Sequence, residues 1–280
     1  MGTAVPVKAV PVEARSVAGA PISWGVCEVP GWGYQLSARR VLTEMRELGL
    51  AATEFGPDGY LPADPAERAA LLAAHGLRAA GGFVPVVLHD ERRDPRQTVG
   101  AALDGFGTPD GAVLVLAAAT GVDGYEGRPE LDDDGWDVLL ANLDRIARYA
   151  ADRGFPSTLH PHVGTMVERR DDVYRVLDGS GVSLCLDTGH LLIGGTDPAE
   201  LAGQAPDRVG HVHLKDVSAP VARRVTAGDI GYSDGVANGL YRPLGRGDVD
   251  VAGVVGALAK NGYDGWYVLE QDTILDGPPA

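Results

Sequence analysis

Cysteine is nearly missing from this chain: Cys27 and Cys185 are the only two in 280 residues. Two cysteines without a CxxC spacing give no disulfide framework, which fits a reducing cytoplasm as the expected location. Basic residues are scarce as well, with 24 Lys and Arg against 39 Asp and Glu, a formal charge of −15. A phosphate backbone is bound by a basic surface, so this balance argues against a nucleic-acid partner and equally against an anionic membrane surface. No run of 18 apolar residues occurs, so no membrane-spanning helix is expected. Neither GxGxxG nor GxxxxGK(S/T) follows the first strand candidate, which leaves the nucleotide-binding fingerprints without support. The first 19 residues, rich in Ala, Val and Pro, lack the continuous apolar core of a signal peptide and are read as a flexible leader.

What is present is an alternation of strand and helix patterns. Strands are expected at Pro21–Trp24, Ala51–Phe55, Arg78–Pro85, Ala112–Leu116, Ser157–His160, Val182–Leu186, Val209–Leu214 and Trp266–Leu269. Helical patterns fill the gaps at Ser37–Leu48, Asp64–Ala74, Asp94–Phe106, Asp133–Arg153, Arg169–Leu177, Asp197–Ala202 and Val249–Asn261. Asp64-Pro65 and Asp197-Pro198 read as an N-cap followed by proline in the first turn. Gly76 and Gly154 fall where a left-handed C-cap is expected. Eight strands with crossover helices predict an α/β fold, a single-domain (β/α)8 TIM barrel, in preference to a doubly wound sheet. The barrel is expected over residues 20–272, with 273–280 as a C-terminal tail. The segment Val217–Asp248 after the seventh strand is long and irregular, and segments of that kind commonly serve as active-site covers. It carries Arg223, Arg224, Tyr232, Tyr241 and Arg246.

Chemistry-bearing side chains collect at the ends of these strands. His160 and His162 stand two apart and so share one side of an extended segment, as do His211 and His213. Asp187 closes the run Val-Ser-Leu-Cys-Leu, His190 follows in a turn, Lys215 and Asp216 follow His213, and Glu270 ends the last strand. A parallel barrel gathers its strand C-termini on one face, which would bring these residues together. Mixed imidazole and carboxylate donors suit Mn²⁺, Co²⁺, Fe²⁺ or Zn²⁺. Asp187, His213 and Glu270 read as ligands. His211 reads equally well as a hydrogen-bonded core residue, and Lys215 as a substrate contact or a solvated loop lysine. Among earlier strand ends, Glu54 is placed either on substrate hydroxyls or on an arginine. Trp24 is placed on a sugar ring or as a cap of the barrel, with Glu28 close by.

Six motifs carry a family resemblance: Pro21-Ile-Ser-Trp-Gly-Val-Cys-Glu, Glu54-Phe-Gly-Pro-Asp-Gly-Tyr, His160-Pro-His-Val-Gly-Thr, Leu186-Asp-Thr-Gly-His, His211-Val-His-Leu-Lys-Asp and Gly265-Trp-Tyr-Val-Leu-Glu-Gln-Asp. Over roughly residues 20–272 the chain resembles the xylose-isomerase-like TIM-barrel superfamily of sugar isomerases and epimerases, and within it the inosose (2-keto-myo-inositol) dehydratase branch. The resemblance implies metal ligands from strands five to eight, which fall on His160, Asp187, His213 and Glu270. His160 replaces the glutamate that epimerases of this superfamily use both as a ligand and as a proton-transfer base. His190 matches a substrate-contacting histidine, whereas the arginine that epimerases carry after the strand-seven histidine has no counterpart beside Lys215 and Asp216.

The resulting expectation is a metal-dependent hydro-lyase dehydrating a keto-polyol such as 2-keto-myo-inositol through an enolate. Catalysis is assigned to His162, Lys215 and His190, with His162 or Lys215 as base. Substrate contacts are assigned to Trp24, Glu28, Glu54, His190, Lys215 and Arg246. Mn²⁺ or Co²⁺ is the first choice of cofactor, with Fe²⁺, Zn²⁺ and Mg²⁺ as further candidates. The alternatives are a metal-dependent sugar isomerase or epimerase and, in another class, a non-catalytic polyol-binding protein. A DNA-repair endonuclease of this fold is disfavoured by the acidic charge. The expected partner is a small polyol or sugar, without nucleic acid or membrane, and a homo-oligomer is left open.

Overall fold

A computed structural model describes residues 16–122, 124 and 128–279 of the chain. Its strands are β1 (Val17–Gly19), β2 (Ala52–Glu54), β3 (Arg78–Val86), β4 (Val113–Ala118), β5 (Ser157–Leu159), β6 (Ser183–Asp187), β7 (Val209–Leu214), β8 (Asp216–Val217), β9 (Tyr241–Arg242) and β10 (Tyr267–Leu269). Its α-helices are α1 (Ala38–Glu47), α2 (Pro65–Ala74), α3 (Pro95–Phe106), α4 (Asp133–Asp152), α5 (Arg170–Gly179), α6 (Thr188–Ile193), α7 (Pro198–Gln204), α8 (Ala219–Thr226), α9 (Tyr232–Ala237) and α10 (Val251–Lys260). Strands β1 to β7 pair in parallel in chain order, and β10 lies between β7 and β1, closing a (β/α)8 barrel. No described helix is long and apolar enough to cross a membrane.

Helix starts follow local chemistry. Asp64 accepts from the Glu67 amide at 2.9 Å, and Asp197 from Ala199 and Glu200 at 2.8 and 3.0 Å, each followed by proline where a missing amide costs nothing. Gly76 and Gly154 close α2 and α4 at φ 67° and 84°, a region that side chains with a Cβ avoid. The main core lies between the outer faces of the strands and the helices. There Leu114, Leu116, Leu139, Leu143, Ile146 and Leu184 are fully buried.

The first strand differs from expectation. Pro21–Trp24 is a 3-10 turn, and the strand is Val17–Gly19, with Val17 opposite Tyr267 and Ala18 opposite Ala52. Proline at the head of the segment suits a helical first turn, while Val-Ala-Gly carries little strand signal of its own. The barrel therefore starts within the stretch read as leader, whose first 15 residues lie outside the described ones. Residues 273–279 lie against the N-terminal loop, where Thr273 O accepts from Trp32 Nε1 and Leu275 O from the Tyr34 amide. The segment after β7 is built rather than irregular. β8 and β9 form an antiparallel pair, Asp216 opposite Arg242, with α8 and α9 between them.

Register decides which side chains reach the mouth. Cys185 pairs with His211 and Asp187 with His213, and side chains alternate along each strand. Cys185 and His211 therefore share a lower interior layer, while Asp187 and His213 share the next layer up. Leu143, fully buried on the 20-residue α4, tests the core that supports this register. Leu143→Ala is expected to lose about 2–5 kcal/mol of stability, read as a lower urea midpoint at an unchanged slope.

Candidate active site

Asp187 is the N-cap of α6. Its Oδ1 accepts from the amides of Gly189 and His190, both at 2.8 Å, which fixes the carboxylate and turns Oδ2 inward. Buried Oδ2 has no hydrogen-bond donor, although His160 Nε2 stands 3.3 Å away, His213 Nδ1 3.5 Å and Lys215 Nζ 3.6 Å. His213 is oriented from behind. Its Nε2 lies 2.9 Å from Glu54 Oε1, a carboxylate oxygen that can only accept, so Nε2 carries a proton and Nδ1 points the other way. That Nδ1 faces Glu270 Oε2 and His160 Nε2, both at 3.1 Å.

Four electron-rich atoms from four strand ends thus gather about His213: His160 Nε2, Asp187 Oδ2 and Glu270 Oε2 each stand within 3.5 Å of His213 Nδ1. The separations His160–His213, His160–Asp187, His213–Asp187 and His213–Glu270, 3.1–3.5 Å, are close to the ligand-to-ligand spacing of roughly 3.0–3.4 Å that metal bonds of about 2.1 Å impose. The charge balance agrees. Burial alone would lower the His213 imidazole, yet Glu270 and Glu54 push it well above its ordinary value. Cys185, raised to about 11 chiefly by burial, remains a thiol at neutral pH and adds no charge. Burial alone would likewise raise Asp187, but Lys215 and the neighbouring imidazoles hold it well below the usual carboxylate range. A pocket that stabilises anionic Asp187 and a positive charge among its acceptors fits a divalent cation, with His160, Asp187, His213 and Glu270 able to hold it.

Beside this centre lies Lys215. Its ammonium donates to Asp272 Oδ1 at 2.8 Å and to Glu270 Oε2 at 3.1 Å, and it stands 3.1 Å from His190 Nε2. Burial would lower it, but Asp272, Glu270 and Asp187 raise it well above its ordinary value, so it is a cation at neutral pH. His162 has the opposite character. Its Nδ1 donates to the Val163 carbonyl at 2.7 Å, which makes Nε2 the basic nitrogen. Burial first, then His160 and Lys215, hold it well below the ordinary imidazole value, so it is neutral. The rings of His162 and His190 stack with centroids 3.7 Å apart.

These groups open onto a cavity of about 530 Å³ whose wall includes Glu54, His160, His162, His213, Lys215 and Glu270. Glu28 and Trp32 also line it. Three expected substrate contacts do not. His190, buried and stacked on His162, is absent from the wall. Trp24, displaced by the turn at Pro21, sends Nε1 to Glu44 Oε2 on α1 at 2.7 Å, outside the barrel. Arg246 is exposed beyond β9. Asp216 Oδ2 takes the amides of Gly245 and Gly247 at 2.8 Å each, so the backbone around Arg246 is tied to the barrel while its side chain points outward. Glu54 pairs with no arginine; its Oε1 holds both His213 and His211 at 2.9 Å. His211, one layer lower, is a buried partner of Glu54 and is absent from the cavity wall.

Asp272 went unassigned in the sequence. It lines the cavity, and besides Lys215 it accepts from Tyr232 Oη at 2.9 Å, which in turn meets Tyr241 Oη at 2.9 Å. Burial and Glu270 raise its carboxyl against the pull of Lys215. Its two-residue spacing from Glu270 was the available signal, since alternate residues share a side. Tyr232, forty residues away and carried by α9, belongs to the segment after β7 that the sequence marked as a cover, and it lines the cavity.

With this geometry in view, comparison with known proteins is direct. Residues 42–279 match the family described as xylose isomerase-like TIM barrel, and the chain belongs to that family. The rhizopine catabolism protein MocC of Rhizobium meliloti is 32% identical over 268 residues, 90% of this chain and 80% of its own. The inosose dehydratase of Geobacillus kaustophilus is 31% identical over 266 residues, 90% and 86%. Among solved structures, the IOLI protein with a bound zinc atom superposes with a TM-score of 0.63 at 13% identity, covering 91% of this chain and 88% of its own, a likeness of fold.

If the four converging atoms bind a cation, Asp187→Ala removes the ligand with the most fixed geometry. Elemental analysis after reconstitution and desalting is expected to show loss of stoichiometric divalent metal from the variant. Retention of one equivalent would dissolve the assignment.

Proposed function

We propose that this chain is a metal-dependent hydro-lyase that removes water from a keto-polyol of the inosose type. The observation that carries the reading is the placement of His162, whose Nδ1–H is tied to the Val163 carbonyl so that Nε2 bears the lone pair, and of Lys215, ion-paired to Asp272 and Glu270, beside the ligand cluster in a cavity wide enough for a six-membered polyol ring. The relatives named inosose dehydratase, aligned along nearly the whole chain, support the same substrate class.

His160, Asp187, His213 and Glu270 would hold the cation, with Mn²⁺ or Co²⁺ suited to two imidazoles and two carboxylates, and Fe²⁺, Zn²⁺ or Mg²⁺ as further candidates. When bound, a divalent ion supplies Lewis acidity toward adjacent oxygens of a hydroxy-ketone. The proton chemistry belongs to the chain's own residues. His162 Nε2 takes the proton α to the ketone as the C–H bond breaks. Lys215 Nζ gives a proton to the β-hydroxyl as the C–O bond breaks, and that group leaves as water. Asp272 and Glu270 hold the ammonium in place. His190 stacks on His162 and stands 3.1 Å from Lys215 Nζ, so it packs both groups in place; after water leaves, His162 releases its proton to solvent and Lys215 takes one up, which restores both. Tyr232 and Tyr241 cover these groups from the segment after β7 and shield them from bulk water, as charge-developing steps require.

Epimerisation is less well served. At the strand-five position a two-base epimerase would need a proton-accepting carboxylate, and His160 occupies it.

The test is a screen of inososes and ketohexoses with metal-reconstituted protein, read by mass spectrometry. Loss of water from an inosose is the expected result; a product of unchanged mass would indicate isomerisation, and no product with any substrate would leave a binding protein. In the same assay His162→Asn is expected to lower turnover by roughly 10²–10⁴-fold, the usual contribution of a general acid–base group, while metal content stays at the wild-type level. Turnover close to wild type would move the base elsewhere.

A further inference from the structure

The cavity is larger than the reaction needs. By the scale at which a hole of about 150 Å³ accepts benzene, a twelve-heavy-atom keto-polyol needs about 300 Å³. The cavity holds about 530 Å³, so space for several more heavy atoms remains. That space is chemically distinct from the ligand cluster. From the strand ends the cavity runs past Phe55 and the loop at residues 56–59 to the face of α3, where Val84, Ala102 and Phe106 line it. Phe55 and Phe106 rings meet with centroids 4.8 Å apart and close over Gly82, where a Cβ would stand 2.6 Å from Phe106 and 2.9 Å from Phe55. The Arg68 guanidinium on the same wall lies over Phe55 and is engaged by the carbonyls of Pro62 and Gly105 at 3.0 and 2.9 Å, so it serves as part of the wall. Hydroxyls placed against Phe55, Val84 and Phe106 would give up water without gaining partners, a loss, whereas carbon there gains by leaving water.

We propose that the natural substrate is a keto-polyol carrying an apolar substituent, with the ring at the ligand cluster and the substituent in the lobe between Phe55 and α3. The proposal rests on the function given above for the ring and adds the class of its substituent. α3 favours this use by keeping its lobe face short: Thr98, Ala101, Ala102 and Gly105 recur at helical spacing along the wall, and a Cβ at Gly105 meets no atom within 4 Å. A larger residue at Gly105 would therefore extend into open space along this wall without displacing the helix.

Binding decides the matter independently of turnover. Calorimetric titration of metal-loaded protein is carried out with an unsubstituted inosose and with each of its mono-O-benzyl ethers. At least one ether is expected to bind at least tenfold more tightly than the parent. Gly105→Leu, and separately Ala101→Phe should the first variant misfold, is expected to cut that advantage at least fivefold. An advantage below threefold for every ether, or one that survives filling the lobe, overturns the proposal. Water loss is followed on the same ligands. A preference for the ether without any dehydration would leave the lobe standing and remove the lyase reading, while dehydration without the preference would do the reverse.

Discussion

The site depends on how His213 is aimed. Glu54, on β2, takes the Nε2 proton of a histidine on β7 and so turns the other nitrogen toward Asp187, Glu270 and His160. Without that bond the imidazole could present either nitrogen, and the convergence of lone pairs would be lost. Glu54 is itself held by His211 from the layer below. The orientation of one candidate ligand thus spans opposite parts of the barrel wall, which only a closed sheet can fix. Burial strengthens every term, because the same separations in water would carry little energy.

A second constraint separates the proposed acid from the proposed base. Lys215 and His162 sit in one cavity, yet three carboxylates surround the first, while the second receives its neighbours' positive field and a backbone carbonyl. Opposite protonation states at one pH follow from that difference in surroundings, the general arrangement by which paired groups divide proton-transfer roles. Asp272 belongs to this division, because it joins the lysine to Tyr232 and so to the segment after β7. Position of that segment and placement of the lysine are therefore coupled through one carboxylate.

Much of this was legible in the sequence because barrel strands advertise themselves. Apolar runs that stop at His160, Asp187, His213 and Glu270 give both strand positions and the residues at the mouth, and the two-residue spacing of His211 and His213 separates interior layers. The first strand was not legible. Val17–Gly19 is three residues long and carries little strand signal, its Ala18 packing with Ala52, Ala80 and Val268 only once the barrel closes, while the neighbouring Pro-Ile-Ser-Trp looked more strand-like and folds as a turn. That shift carried Trp24 from the expected cavity wall to the outside of the barrel. Arg246 misled for another reason: its chain neighbours are tied down by Asp216, and no local pattern reports which way the side chain then faces. The links Glu54–His213, Lys215–Asp272 and Asp272–Tyr232 span 40 or more residues and exist only once the barrel is closed.

X-ray absorption spectroscopy of the cobalt-loaded protein measures the donor set itself. The account predicts a shell of nitrogen and oxygen at about 2.0–2.1 Å, with the outer-shell scattering of two imidazole rings, those of His160 and His213. A shell without imidazole scattering, or one with sulfur at about 2.3 Å from the nearby Cys185, would contradict it.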